Sequence, residues 1–314
     1  LIRYVGKRML AIVPIVFIAT LVTFALIHIS PVDPAEAYLT AAHIYPTPEL
    51  LEQKRREFGL DRPLIEQYVD TLGRIARLDF GSSYLTNRPV WDEVKARLPA
   101  TAELAVSSIL FSVLVSVPLG VLAAVYRRGW VDLLTRAIAY FGASIPQFWL
   151  GYLLMFFFAV KLDLLPVEGR GDWRNLVLPT ITLSFVLIAL YTRMLRTAMS
   201  EQLDETYVRY ARTRGLRERS VVLKHALKVA IMPLITSMGM NMGRLLTGTI
   251  IVEQVFSWPG FGRYFVEAIF NRDIPVIQCY VFLAACLFIV CNLIVDLIQM
   301  YMDPRILTEG RANT

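Results

Sequence analysis

"ETYVRYARTRGLRERSVVLKHALKVAIMP", Glu205 to Pro233, is the stretch on which the reading of this chain turns. It is basic and amphipathic, and a long apolar run lies on each side of it. In its first half Tyr207, Tyr210, Ala211 and Arg214 share a face at helical spacing, while Arg209 and Arg212 point elsewhere. Gly215 divides the stretch. In the second half Val222, Ala226 and Val229 form one row and Leu223, Leu227 and Ala230 another, with Lys224 and Lys228 opposite. An apolar face with a cationic back is the pattern of a helix lying at a membrane surface. Pattern alone leaves two readings open. One is a basic loop that sets topology and attracts anionic lipid. The other is a short helix that projects from the membrane and fits a groove on another protein.

Outward from this stretch the chain is strongly apolar. Of its 314 residues 56% are hydrophobic, and the mean hydropathy is +0.52. The excess is concentrated in runs long enough to cross a hydrocarbon core about 30 Å thick. The pattern predicts an all-α polytopic membrane protein with six spans, near 9–29, 102–126, 134–160, 176–199, 229–256 and 276–302. The first span follows Arg3, Lys7 and Arg8 and could be a signal peptide, but its apolar run is too long for one, so a retained helix is expected. Prolines recur in the spans, at Pro14, Pro118, Pro146, Pro179 and Pro233. Membrane helices tolerate them when neighbours satisfy the freed carbonyls.

The net charge of +6 is spread over short loops next to apolar spans, which points to topology and away from nucleic acid. Arg127 and Arg128, the basic stretch itself, and Arg305 and Arg311 all fall on the side of the N-terminus if there are six spans. Positive loops face the cytoplasm, so both termini are expected on the cytoplasmic side. Residues 30–100 then lie outside as a segment of short helices. Thr47-Pro48-Glu49 is a helix start and Gly59 a stop, and Leu64, Tyr68, Leu72 and Ile75 recur at helical spacing until "LDFGSS". This segment is either a docking surface for an external partner or a cover over the spans. The expected organisation is 1–29 for the first helix, 30–100 for the outer segment, 101–302 for the membrane core with its loop at 200–228, and 303–314 for a cytoplasmic tail.

"YVRYARTRGLRERSVVLKHALKVAIMP" resembles the conserved loop of the inner-membrane subunits of bacterial ABC importers, with Ala211, Gly215 and Pro233 at the family's alanine, glycine and proline. "LDFGSSY", "RLPATAELA", "SIPQFWLGYLLMFFFAV", "FSWPGFGRYFVEAIFNRDIPVIQC" and "DPRI" are similar to the dipeptide, oligopeptide and nickel subgroup, across nearly the whole chain. The resemblance implies the type I importer permease fold and transport by alternating access. It also implies a heterodimer with a second permease, two cytoplasmic ATPase subunits and an extracytoplasmic binding protein. Glu205, Tyr207, Tyr210, Ala211, Arg214, Gly215 and Leu216 would form the helix that couples to the ATPase. No G-x-x-x-x-G-K-[ST] occurs, nor any Ser-His-Asp or H-E-x-x-H set, so ATP and magnesium are expected on partner chains and no cofactor here. "PTPELL", "FNRDIPVIQC" with Cys279, and "VCNLIVD" look more like nickel permeases, which makes nickel(II) or a nickel chelate the expected cargo and a peptide the alternative.

Residue chemistry supports a metal only weakly. His28, His43 and His225 form no local pair, and Cys279, Cys286 and Cys291 read as packing residues. Arg244 matters more, because an ionised residue at membrane depth marks a pathway or a partner. It would repel a bare dication and accept a chelate or a carboxylate. Asn241, Met240, His28 and Glu253 complete the expected path candidates. A self-contained secondary transporter would need inverted repeats and coupling acids or histidines in the spans; no such repeat is seen and acids at membrane depth are few.

Overall fold

The computed structural model describes residues 2–302. The "DPRI" stretch, Arg305, Arg311 and the rest of the expected tail lie outside the described residues.

The described chain is helical apart from a single isolated bridge between Ser82 and Pro89. In order it forms α1 (Ile2–Ile29), α2 (Pro34–Ala41), α3 (Pro48–Glu57), α4 (Leu64–Ile75), α5 (Val90–Val125), α6 (Trp130–Ser144) and α7 (Gln147–Leu154). A π-helical turn over Met155–Lys161 extends α7. Then come α8 (Trp173–Leu203), α9 (Thr206–Thr213), α10 (Glu218–Ala230), α11 (Met232–Gly248), α12 (Ile250–Val255), α13 (Phe261–Phe270) and α14 (Ile274–Met302).

Three described helices are long and apolar enough to cross a membrane: Val90–Val125, Trp173–Leu203 and Ile274–Ile298. Two bent pairs raise the number to five, Val13–Ile29 with Pro34–Ala41 at 80° and Glu218–Ala230 with Met232–Thr247 at 47°. The six expected runs are thus more broken than hydropathy suggested, and proline explains one break. Ile145 precedes Pro146 and is held extended at φ −84°, ψ 123°, so the run 134–160 divides into α6 and α7. Pro14 and Pro179, by contrast, sit inside continuous helices.

The chain divides into two units. One takes the N-terminal stretch as far as Thr101, with Leu246–Ile250 and Pro259–Leu293. Here the expected helix signals hold. The Thr47 hydroxyl accepts from Leu50 N at the start of α3, Pro48 occupies its first turn, and Gly59 takes φ +68° just past its end. Tyr68 of α4 packs its ring against Phe17 and Phe24 of α1, at 5.8 and 5.2 Å. The Ser83 hydroxyl donates to buried Asp273 at 2.5 Å, and Phe261 N donates to the Thr101 hydroxyl at 2.8 Å. These bonds join "LDFGSSY" to "NRDIP" and "RLPAT" to "PGFGR", stretches far apart in sequence. Around them Phe80, Val90, Val94, Phe261, Val276 and Cys279 form a buried core. Cys279 is therefore a packing residue.

The other unit takes Ala102–Leu245, Ile251–Trp258 and the chain from Ile294. Asp172 caps α8 in a capping box with Asn175. Its small residues allow close packing. A side chain at Gly239 would run into Val295, whose Cγ2 lies 2.0 Å from where the Cβ would be.

Candidate functional site

The basic stretch forms α9, a tight turn and α10. An eight-residue helix is too short to hold itself together in water. Three devices fix this one. The first is burial on its inner side. Val208 and Ala211 pack among Leu195, Met199 and Leu203 of α8, Ala124 of α5, and Val221, Val222, Ala226 and Ala230 of α10. The second is the turn. Gly215 takes φ +76°, Gly215 N donates to Arg212 O and Leu216 N to Ala211 O, which satisfies the last carbonyls of α9. A Cβ on Gly215 would meet open space, so only the backbone conformation requires glycine. The third is charge. Arg127 grips Asp204 with two bonds of 2.7 and 2.6 Å, and Arg212 grips Glu218 at 2.7 and 3.2 Å. These bonds hold the Asp204 and Glu218 carboxyls below their ordinary range.

What remains outside is an aromatic and basic surface. Tyr210 is 64% exposed, Tyr207 39% and Leu216 40%. The Arg214 guanidinium lies 5.9 Å from the centre of the Tyr210 ring. Arg209, Arg217 and Arg219 are exposed around them, with Glu205 at the N-terminus of α9. Two details differ from the helical-wheel expectation. Ala211 does not share the outer face with the tyrosines, because one residue's 100° rotation beyond Tyr210 turns it inward beside Val208. In α10 the expected rows are re-sorted. Val221–Ala226 is π-helical, which widens the repeat, so Val222, Ala226 and Ala230 line up inward while Leu223 and Val229 are exposed.

Sequence reasoning missed Asp132. It sits near the start of α6 with a fully buried side chain, and it accepts from Arg196 at 2.5 and 2.9 Å, from Arg136 at 3.2 Å and from Arg128 N at 3.1 Å. The Arg196 bonds hold its carboxyl below the ordinary range. This network ties α6 to α8 close to the basic stretch. The available signal was a lone acid among Arg127, Arg128 and Arg136.

The expected path candidates have different surroundings. Asn241 is buried on α11, with its amide 3.2 Å from the Tyr191 hydroxyl of α8 and 2.9 Å from Ser237 O. Met240 and Arg244, one turn apart, share the exposed face of α11. Glu253 on α12 is fully buried. His28 belongs to the other unit, where Phe24 O lies 2.9 Å from Nδ1 and Gln67 Oε1 lies 3.1 Å from Nε2. Among the described residues no three or more His, Cys, Asp or Glu side chains gather as a metal site.

Residues 116–308 match the family described as "Binding-protein-dependent transport system inner membrane component", and residues 1–105 match its N-terminal companion. The chain is 39% identical over 306 residues to the glutathione transport system permease protein GsiC of Escherichia coli K12, covering 98% of this chain and 99% of that one. The GsiC protein of Shigella dysenteriae serotype 1 matches to the same extent. Among solved structures, an inward-facing conformation of the MetNI methionine ABC transporter superposes with a TM-score of 0.58 over 67% of this chain and 96% of that chain, at 18% identity. That likeness is one of fold.

Proposed function

The chain belongs to the binding-protein-dependent transport system inner membrane components, and from that premise we propose that it forms half of the translocation path of an ATP-driven importer for short peptides of the glutathione kind. As a permease of this family it is a membrane subunit and not itself an ATPase. ATP is hydrolysed on two cytoplasmic subunits, a binding protein delivers cargo from outside, and a second permease completes the path. The chain crosses the inner membrane six times with both termini inside, each broken or bent run counting as one span. Residues 30–100 lie outside, and 101–302 form the core. The α9 surface seats in a groove of an ATPase, and closure of the paired ATPases moves it and switches the spans between inward and outward access.

The coupling role rests on one observation: α9 is anchored rigidly on its inner side while Tyr207, Tyr210, Leu216 and Arg214 stand outward. The cargo reading rests on relatives named for glutathione that match end to end. It displaces nickel, which rested on the resemblance of "PTPELL", "FNRDIPVIQC" and "VCNLIVD", because those end-to-end relatives carry glutathione in their names. Arg244 on the exposed face of α11 suits a carboxylate better than a dication. The test is uptake by cells carrying this chain with its partner subunits, offered radioactive glutathione, a labelled dipeptide or radioactive nickel. ATP-dependent entry of glutathione or dipeptide, with no nickel entry, is the expected result. Nickel entry that resists excess peptide would return the cargo to nickel.

A further inference from the structure

Within the N-terminal unit lies a cavity of about 870 Å³, bounded by the end of α1, by α3 and α4, and by the start of α14. Its volume falls within the range of roughly 300–1,000 Å³ that small-molecule sites occupy. One wall is aromatic. The Tyr38, Phe58 and Tyr84 rings lie 5.3 to 5.8 Å apart, with Phe58 and Tyr84 parallel. Burial pushes the Tyr84 hydroxyl's pKa up, so it stays a neutral donor.

The charged part of the lining is unbalanced. Lys54 is held by Glu57 at 2.7 Å, and Arg62 by Asp70 at 3.1 Å. Those two pairs cancel. Arg74 and Arg77, at the end of α4 and just beyond it, also line the cavity and form no ion pair among the described residues. Two guanidiniums in excess favour a planar oxyanion, which they bind through paired N–H groups. The aromatic wall suits the apolar or amide body of a small acid. A lipid phosphate alone would leave that wall without a partner.

We infer that this cavity is a capture site for a short peptide acid, with Arg74 and Arg77 receiving its C-terminal carboxylate. The inference rests on the peptide reading above and adds a site on the outer segment, before the membrane path. The cavity would hold cargo as it leaves the binding protein.

The test uses the membrane complex of both permeases and ATPases, in nanodiscs of neutral phosphatidylcholine without added binding protein. Titration with trialanine and with its C-terminal amide should show the acid binding roughly tenfold tighter or more, the difference expected for a charge-assisted contact. The double variant Arg74→Gln, Arg77→Gln should lose that preference. Arg74→Lys, Arg77→Lys keeps the charge without the fork and should fall between the two. An unshifted thermal transition in both variants checks that the fold survives. Equal binding of acid and amide, or native binding by the Gln variant, would overturn the inference. So would loss of trialanine binding on adding phosphatidylglycerol, if that lipid is held by the native complex and released by the Gln variant, because the cavity would then be a lipid site. Uptake separates the two claims. Peptide import that ignores the Gln variant overturns the site and leaves the function, while no import of any peptide overturns both.

Discussion

The helices α9 and α11 each bury one side and expose the other, yet the exposed sides mean different things. On α9 the outward residues are Tyr207, Tyr210, Arg209 and Arg214, mixed rings and cations on a helix of eight residues. That composition is at home in water or against a protein groove. On α11 the outward residues include Met240 and Arg244, one turn apart inside an apolar run. Exposure in an isolated chain means water for α9. For α11 it means lipid, a second permease or the path itself, and only the charge of Arg244 discriminates, since lipid is the worst of the three for a cation. A short helix at the surface must be held by its neighbours and its caps. A long one in the membrane holds itself through its own hydrogen bonds.

The sharpest way to break that comparison is at Gly215. Proline cannot adopt φ +76° and would remove the N–H that Arg212 O accepts, so Gly215→Pro should cost about 3 kcal/mol locally and undo the end of α9. We expect peptide uptake to be abolished while membrane insertion and complex assembly, followed by immunoblot and co-purification, persist. Tyr210→Asp should reduce uptake nearly as much, because it puts a charge on the outward face without touching the buried side. Normal uptake by both would remove α9 from the coupling role.

Asp132 comes next. Asp132→Ala leaves Arg196 and Arg136 without the carboxylate they share. Breaking a fully buried pair costs roughly 3–5 kcal/mol, but both arginines reach solvent, so about 2 kcal/mol is the better expectation. The thermal transition of the purified protein should fall by several degrees. Asp132→Asn should recover part of that loss, since it keeps an acceptor.

What the sequence made legible was local. The Thr47-Pro48 start, the Gly59 and Gly215 stops and the amphipathy of α9 depend on residues a turn or two apart, and each lies where its chemistry required. The misses came from longer reach or from a changed repeat. Asp132 meets Arg196 across 64 positions of sequence, and no periodicity reports that. The apolar rows of α10 were drawn with 3.6 residues per turn, and a π-helical stretch does not keep that period. Ala211 was grouped with the tyrosines because one turn of helix cannot say which side of its edge a small residue takes. Buried neighbours decide it. The membrane runs themselves were plain, but Pro146 divides one of them where hydropathy sees a single span.

Arg244 sharpens the comparison from the other helix. Arg244→Met keeps an unbranched apolar stem and removes the charge. If Arg244 faces the path, the KM for a peptide acid should rise several-fold, as expected when one charge-assisted contact is lost. The KM for the corresponding amide should then change little, and the thermal transition should hold. A role in tying α11 to a neighbour predicts the opposite pattern, a lowered transition with acid and amide affected alike.

The smallest effect belongs to Arg127, and its value lies in its sign. Arg127→Gln removes an exposed pair that holds the Asp204 carboxyl below its ordinary value. A carboxyl depressed in the folded state stabilises the fold above its unfolded pKa, near 4. That contribution disappears as pH falls through the folded value. Native and variant thermal transitions should therefore differ by the same small amount at pH 8 and at pH 6, and converge below about pH 4. The difference should also shrink with added salt, as it does for other solvent-facing pairs. If it instead survives acid and salt, Arg127 holds the end of α8 by packing its stem, and the charge clamp on the basic stretch reduces to Arg212 with Glu218.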